Sequence, residues 1–308
     1  MRFALVTGCF GFIGSHLVEK LIENQYYVYG VGTPRIEKQD NFSSFIDSSH
    51  FDLLQNDITK IDTDFKLPKN IDVIFHLAVR RNKGEPLLLS QVNVTGTVRI
   101  LELARLNKIK RFVFSSSAAV YGISEDSPIT EKTNVAPQNI YASSKLAAER
   151  FIDVYTKRYG LEAVILRYFN VFGPRQAENH GAISIFINQA LRGGPITLEG
   201  DGKYQYTPIY VTDLVEATLQ ASQKPNQSNS IINICGTEIL QINQIAQKIL
   251  EKLHKKKSKI IFRPPRANWG SSHIGSTDSM RKLLDFSPQW NFDEALDETI
   301  EWYRQKRK

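Results

Sequence analysis

"ALVTGCFGFIGSHLVEKLI", residues 4–22, decides the fold. Residues 3–7 form an apolar run short enough for a strand, and the chain then turns through glycines into Leu17, Val18, Leu21 and Ile22 at helical spacing. Gly8, Gly11 and Gly14 make a GxxGxxG pattern at that junction. Glycines there permit a tight turn, let backbone N–H groups approach a pyrophosphate and let helix pack on strand, while the helix dipole favours the anion. A glycine triplet can also serve a turn alone. Its place at the first strand-to-helix junction of a parallel-sheet pattern predicts dinucleotide binding.

Downstream, the alternation continues. "YYVYGV" (26–31), "IDVIFHLAV" (71–79), "KRFVFSSS" (110–117) and "EAVILRYFN" (162–170) read as strands, several of them continuous apolar runs as in a sheet covered on both faces. Helices are expected over 93–107 and from Tyr141 to about Gly160. This is a doubly wound parallel α/β pattern of the Rossmann type. After Asn170 come loops, "AISIFINQALRGG" as a helix, "GDGKYQYTP" as a loop, "IYV" and "SIINIC" as strands, and "QINQIAQKILEKL" and "ALDETIEWYRQ" as helices. The expected division is a dinucleotide-binding domain over 1–167, re-entered at about 207–235, with a substrate lobe from 168–206 and 236–308.

Composition is that of an ordinary globular chain, 42% hydrophobic and 23% charged. Cys9 and Cys235 show neither metal spacing nor a disulfide framework, and no apolar run is long enough to span a bilayer. A cytoplasmic protein with no metal and no membrane partner is expected. The net charge of +7 comes from "HKKKSK" (254–259) and the tail "RQKRK" (304–308). With those eight set aside, 31 basic residues face 32 acidic ones. The surplus reads as solvated surface, and no nucleic-acid partner is expected.

In "NIYASSKLAAERF" (139–151), Tyr141 and Lys145 are one helical turn apart and share a face. That spacing alone fits a phenol packed over a lysine stem as well as it fits chemistry. At the end of the second strand, where a carboxylate would receive the adenosine ribose, stands Gly32 with Arg35 beyond. Loss of the acid and gain of a cation tilt the cofactor from NAD towards NADP. Asp57 is placed to reach the adenine.

These motifs in this order, "VTGCFGFIGSHL", "HLAV", "VNVTGT", "FSSSAAVYG", "YASSK", "RYFNVFGPRQ" and "GDGKYQYTPIYVTD", closely resemble the extended short-chain dehydrogenase/reductase family in its nucleotide-sugar epimerase/dehydratase branch. The resemblance covers essentially the whole chain. It implies that Ser117, Tyr141 and Lys145 are catalytic, and that Phe12, Ile13, Ile58, Leu77, Ala78 and Asn93 join the glycines at the cofactor. Phenols, ordinarily near pKa 10, are poor bases at neutral pH, and a lysine ammonium beside an oxidised nicotinamide favours the phenolate. Ser115 and Ser116 read as a strand end without a role.

The resemblance also distinguishes reactions. Dehydratases of this family carry Asp-Glu after the serine and decarboxylases a glutamate; here Ala118 and Ala119 follow, as in 4-epimerases. For the substrate, a nucleotide-diphosphate sugar, it implies Asn170, Arg175 and Arg263. Tyr206 stands where the family has an arginine, and Arg266 where "RxGD" has its aspartate, so Arg266 is a candidate replacement for the missing cation. "RRNKG" (80–84) either meets an acidic sugar such as a uronate or is solvated. A reductase of 4-keto sugar nucleotides, with His180 as proton donor, and a non-catalytic RNA-binding relative are the alternatives. A homodimer through helices 93–107 and 141–160 is expected by resemblance.

Overall fold

The computed structural model describes residues 1–34, 36–62, 64–81, 85–224, 229–254, 259–265 and 273–307. Seven parallel strands form the central sheet: β1 (Arg2–Thr7), β2 (Tyr26–Gly32), β3 (Phe51–Gln55), β4 (Val73–His76), β5 (Arg111–Ser117), β6 (Glu162–Tyr168) and, from late in the chain, β11 (Ser230–Ile234). Their order is β11-β6-β5-β4-β1-β2-β3. The chain winds outward one way through β2 and β3, then returns across β1 to β4. That reversal opens a crevice at the carboxyl ends of β1 and β4, where this topology binds ligands.

Alternation along each strand divides the core. Ala4, Val6, Val113, Val164 and Leu166 pack on one face with α1 (Phe12–Glu23). Leu5, Phe112, Phe114, Ala163 and Ile165 pack on the other with α3 (Gly96–Leu106) and α4 (Ile140–Tyr159). A short helix α2 (Pro86–Ser90) and one wide π turn, Gln91–Thr95, lead into α3. The remaining elements are β7 (Val171–Phe172), α5 (Ala182–Leu191), β8 (Ile196–Glu199), β9 (Gln205–Tyr206), β10 (Ile209–Tyr210), α6 (Val211–Gln223), β12 (Leu240–Gln241), α7 (Ile242–Lys252), β13 (Ile260–Arg263), α8 (Asp278–Leu284) and α9 (Phe292–Gln305). Three two-stranded sheets, β7–β10, β9–β12 and β8–β13, sit outside the main one.

Two expectations change. "IYV" is a strand only through Tyr210; Val211 starts α6, whose Val211, Leu214, Val215 and Leu219 are buried at helical spacing and join α1 on its face. The loop "GDGKYQYTP" contains β9, paired antiparallel with β12. The basic tail is exposed, as a solvated run should be, and carries local pairs. Lys306 pairs with Asp40 and lies over the Trp302 ring, while Arg307 reaches Glu178 and Asn188. The lysines of 255–258 lie outside the described residues.

Candidate active site

The glycine turn is as tight as its pattern implies. Gly8 has φ +72°, and a Cβ there would sit 2.8 Å from Ala78 N, so the turn presses on the end of β4. A Cβ on Gly14 would lie 2.1 Å from the Gly8 carbonyl oxygen. The first turn of α1 is thereby held against the loop with its N-terminus at the crevice, a cradle that a side chain would fill. This fits a dinucleotide pyrophosphate. Phe12 and Ile13 begin α1, Leu77 and Ala78 follow β4, and Ile58 packs against Gly96.

Beneath the cradle runs a directional hydrogen-bond chain. Ala78 N–H donates to Thr7 Oγ1 (3.1 Å), and the same hydroxyl is bonded to His76 Nδ1 (2.7 Å). At the other end Thr97 Oγ1 donates to Asn93 O (2.7 Å) and accepts from His76 Nε2 (3.0 Å). Nε2 therefore carries a hydrogen, and in the neutral ring that burial favours, Nδ1 accepts from the Thr7 hydroxyl. Burial, helped by the Lys145 charge, lowers His76 to about 3, in keeping with that state.

Tyr141 and Lys145 stand in the first turns of α4, which Asn139 caps by accepting from Ala142 N–H (2.9 Å). Lys145 Nζ donates to Ser115 O (2.6 Å) and lies 4.7 Å above the Phe114 ring, fixing α4 on β5 two residues before Ser117. Ser117 ends β5; its Oγ accepts from Ala119 N–H (3.2 Å), which leaves its own hydrogen to be donated. Ala118 is buried, and neither alanine can carry a proton. Ser115 and Ser116 have partners after all. Ser115 Oγ bonds His76 O, and Ser116 Oγ donates to Glu149 (2.5 Å), which also takes two bonds from Arg167 (3.0 and 2.7 Å). The strand-end reading missed both, because their partners lie 30 or more residues away.

Burial lowers the Lys145 ammonium to about 7, with Arg81 adding to the effect and Glu149 opposing it. In the unfolded chain the same amine keeps its proton to about pH 10. Between those values the unfolded chain binds more protons, so this group's contribution to stability rises with pH from about 7 towards 10. Below 7 both states are protonated and the contribution is constant. The urea midpoint of the cofactor-free protein is expected to climb over that window, and Lys145→Met to flatten the climb. An unchanged slope in the variant would contradict this.

Asn93 lies in the π turn and joins two segments. Its Oδ1 accepts from Arg80 N–H (2.8 Å), and its Nδ2 donates to Arg80 O (3.0 Å) and to Ser144 Oγ (2.9 Å). Asp57 is exposed, with Oδ1 held by the Thr59 N–H and hydroxyl. Gly32 closes β2, where a Cβ would meet Phe10 at 3.4 Å, an ordinary contact, so packing does not demand glycine. Arg35 and Arg266 lie outside the described residues.

Of the residues expected at the substrate, Asn170 is exposed between β6 and β7 at φ +31°. Arg175 has both terminal nitrogens on Glu19 (2.8 and 2.7 Å), beside a His16 ring bonded to Pro174 O (3.0 Å). It clasps α1 to the loop after β7. Tyr206 is half-buried in β9, its phenol pushed up to about 12 by burial, and cannot supply the family's cation. Arg263 ends β13, exposed. His180 is exposed in the turn before α5, its N–H on Ala177 O (2.9 Å).

Residues 4–235 match the model of the NAD dependent epimerase/dehydratase family. The chain belongs to that family. The UDP-glucose 4-epimerase of Mycolicibacterium smegmatis is 32% identical over 311 residues, covering 98% of each chain. The UDP-N-acetyl-alpha-D-glucosaminuronate decarboxylase of Bacillus cytotoxicus is 32% identical over 324 residues, covering 98% of this chain and 97% of its own. Among solved structures, the UDP-glucuronic acid 4-epimerase of Bacillus cereus, in complex with UDP-glucuronic acid and NAD, superposes with a TM-score of 0.92 at 30% identity, covering 99% of this chain and 100% of that one. Membership brings a nicotinamide cofactor, and nothing in the family match carries the tilt towards NADP. Among the described residues no helix is long and apolar enough to cross a membrane, and no cluster of His, Cys, Asp or Glu could hold a metal.

Proposed function

We propose that the chain is an NAD-dependent nucleotide-sugar 4-epimerase. One observation carries this: Ser117 ends β5 followed by two alanines, while Lys145 is bonded to the same strand with Tyr141 one turn ahead. Elimination of water or assisted decarboxylation needs a proton-carrying group beside the serine, and Ala118 and Ala119 offer none. The bound nicotinamide supplies a reversible hydride acceptor at the sugar's carbon 4. Ser117 donates a hydrogen bond to the 4-oxygen, and Tyr141 takes the hydroxyl proton and later returns it. Lys145 holds positive charge beside the phenol and keeps a donor for the ribose. Turning of the 4-keto sugar about its diphosphate then exposes its other face.

The glycine cradle, Ala78 and Asn93 hold the cofactor in this reading, and Asn170 and Arg263 hold the nucleotide diphosphate in a lobe formed by 168–206 and 236–308. Phe151, Val154 and Tyr159 of α4 and Leu106 of α3 are exposed, which supports a homodimer through those helices. The test is incubation with a panel of UDP-sugars, with products read by anion-exchange chromatography and NMR. Carbon-4 epimers formed without net consumption of dinucleotide are expected. Stoichiometric oxidation of added NADPH by a 4-keto sugar, with no epimer, would make it a reductase instead.

A further inference from the structure

Resting on the 4-epimerase reading, we propose that Arg81 selects a sugar bearing a carboxylate next to the reacting carbon. Its guanidinium carbon lies 4.9 Å from the centroid of the Tyr141 ring, over the phenol that meets carbon 4. The adjacent Arg80 is neutralised by Glu85, whereas no carboxylate among the described residues pairs with Arg81. The placement is built in. Asn93 grips the Arg80 backbone through both its N–H and its carbonyl, and also bonds Ser144 Oγ, which donates to Tyr141 O (2.7 Å). One asparagine thus ties the segment carrying Arg81 to the turn carrying Tyr141.

The local charge is net positive. Glu149 acts on Lys145 but is itself paired with Arg167, and Arg81 weakens the hold of Lys145 on its proton. A neutral sugar leaves that excess unmatched. In a hexuronate the carboxyl carbon is two bonds from carbon 4, about 2.5 Å away given ordinary C–C geometry. A sugar whose 4-hydroxyl meets Tyr141 therefore carries its carboxylate within the reach of a guanidinium stacked on the same ring. The planar fork of arginine suits a carboxylate, which it can bind through two parallel bonds.

The experiment compares UDP-glucuronate with UDP-glucose on the wild-type enzyme and on Arg81→Gln, an exposed position where the variant should fold. The wild type is expected to favour the uronate in kcat/KM. Arg81→Gln should lower the uronate-to-neutral ratio by about 10- to 150-fold, the range of a charge-assisted hydrogen bond. Inhibition by UDP alone is measured alongside. If UDP weakens as much as UDP-glucuronate does, the cation serves the diphosphate and the proposal falls. If both variants epimerise the two sugars with one ratio, the proposal falls and the 4-epimerase reading survives. Where no epimer forms at all, calorimetry on the NAD-loaded protein decides. Preferential binding of UDP-glucuronate that Arg81→Gln abolishes supports the role of Arg81 independently of the reaction, and equal binding of both sugars overturns it.

Discussion

Tyr141→Phe is expected to lower turnover by about two to four orders of magnitude, the scale of a positioned acid–base group. The substitution deletes one oxygen and leaves the ring under Arg81, the cap at Asn139 and the Lys145–Ser115 bond untouched. Bound dinucleotide should therefore be retained, as an absorbance scan of the purified variant would check, while product formation collapses. Near-normal turnover would remove Tyr141 from the chemistry and with it the function proposed here. A parallel loss of bound dinucleotide would instead assign the ring a structural part in the cofactor site.

Arg167→Met is expected to cost about 3–5 kcal/mol of folding stability, the usual result of stripping one partner from a buried ion pair. Arg167 and Glu149 are each 3% exposed and share two hydrogen bonds. Without the guanidinium, a carboxylate would be left in the core with little beyond the Ser116 hydroxyl. The arginine also lies 4.8 Å over the Tyr121 ring, so part of the loss is packing. Denaturant unfolding of the single variant and of Arg167→Met/Glu149→Leu separates these contributions. The double variant should recover much of the stability, since an apolar pair leaves no buried charge. A single variant within 1 kcal/mol of wild type, as an order-of-magnitude bound, would mean that water reaches the pair.

The glycine turn, the strands β1, β2, β4, β5 and β6 and the Tyr141–Lys145 helix were legible because each is a local pattern: spacing, period and punctuation within a few residues. Helix α6 was hidden by proximity, since "IYV" reads as the strand end it partly is, although Val211, Leu214, Val215 and Leu219 keep the helical period. The clasp between Arg175 and Glu19 joins residues 156 apart, and no local pattern distinguishes it from a ligand contact. The same holds for Ser116 and Glu149, and for the Thr7–His76–Thr97 chain. Arg81 had one visible signal, a run of basic residues after "HLAV". Only the fold shows that the first arginine of the run is neutralised next door while the second covers the tyrosine.

The edge strand β11 bears on how this enzyme could be re-engineered. Its Asn233 accepts the Tyr121 hydroxyl hydrogen (2.7 Å), reaches Ile129 O (3.1 Å) and gives its backbone N–H to Glu131, which also receives Ser279 of α8. The turn after Ser117 is thus anchored by chain made more than a hundred residues later. Chimeras that graft a foreign C-terminal half at the obvious seam near residue 170 would discard those anchors. Exchanges confined to loops between α6 and α9, with 230–234 and Ser279 retained, keep these anchors and so leave the scaffold whole.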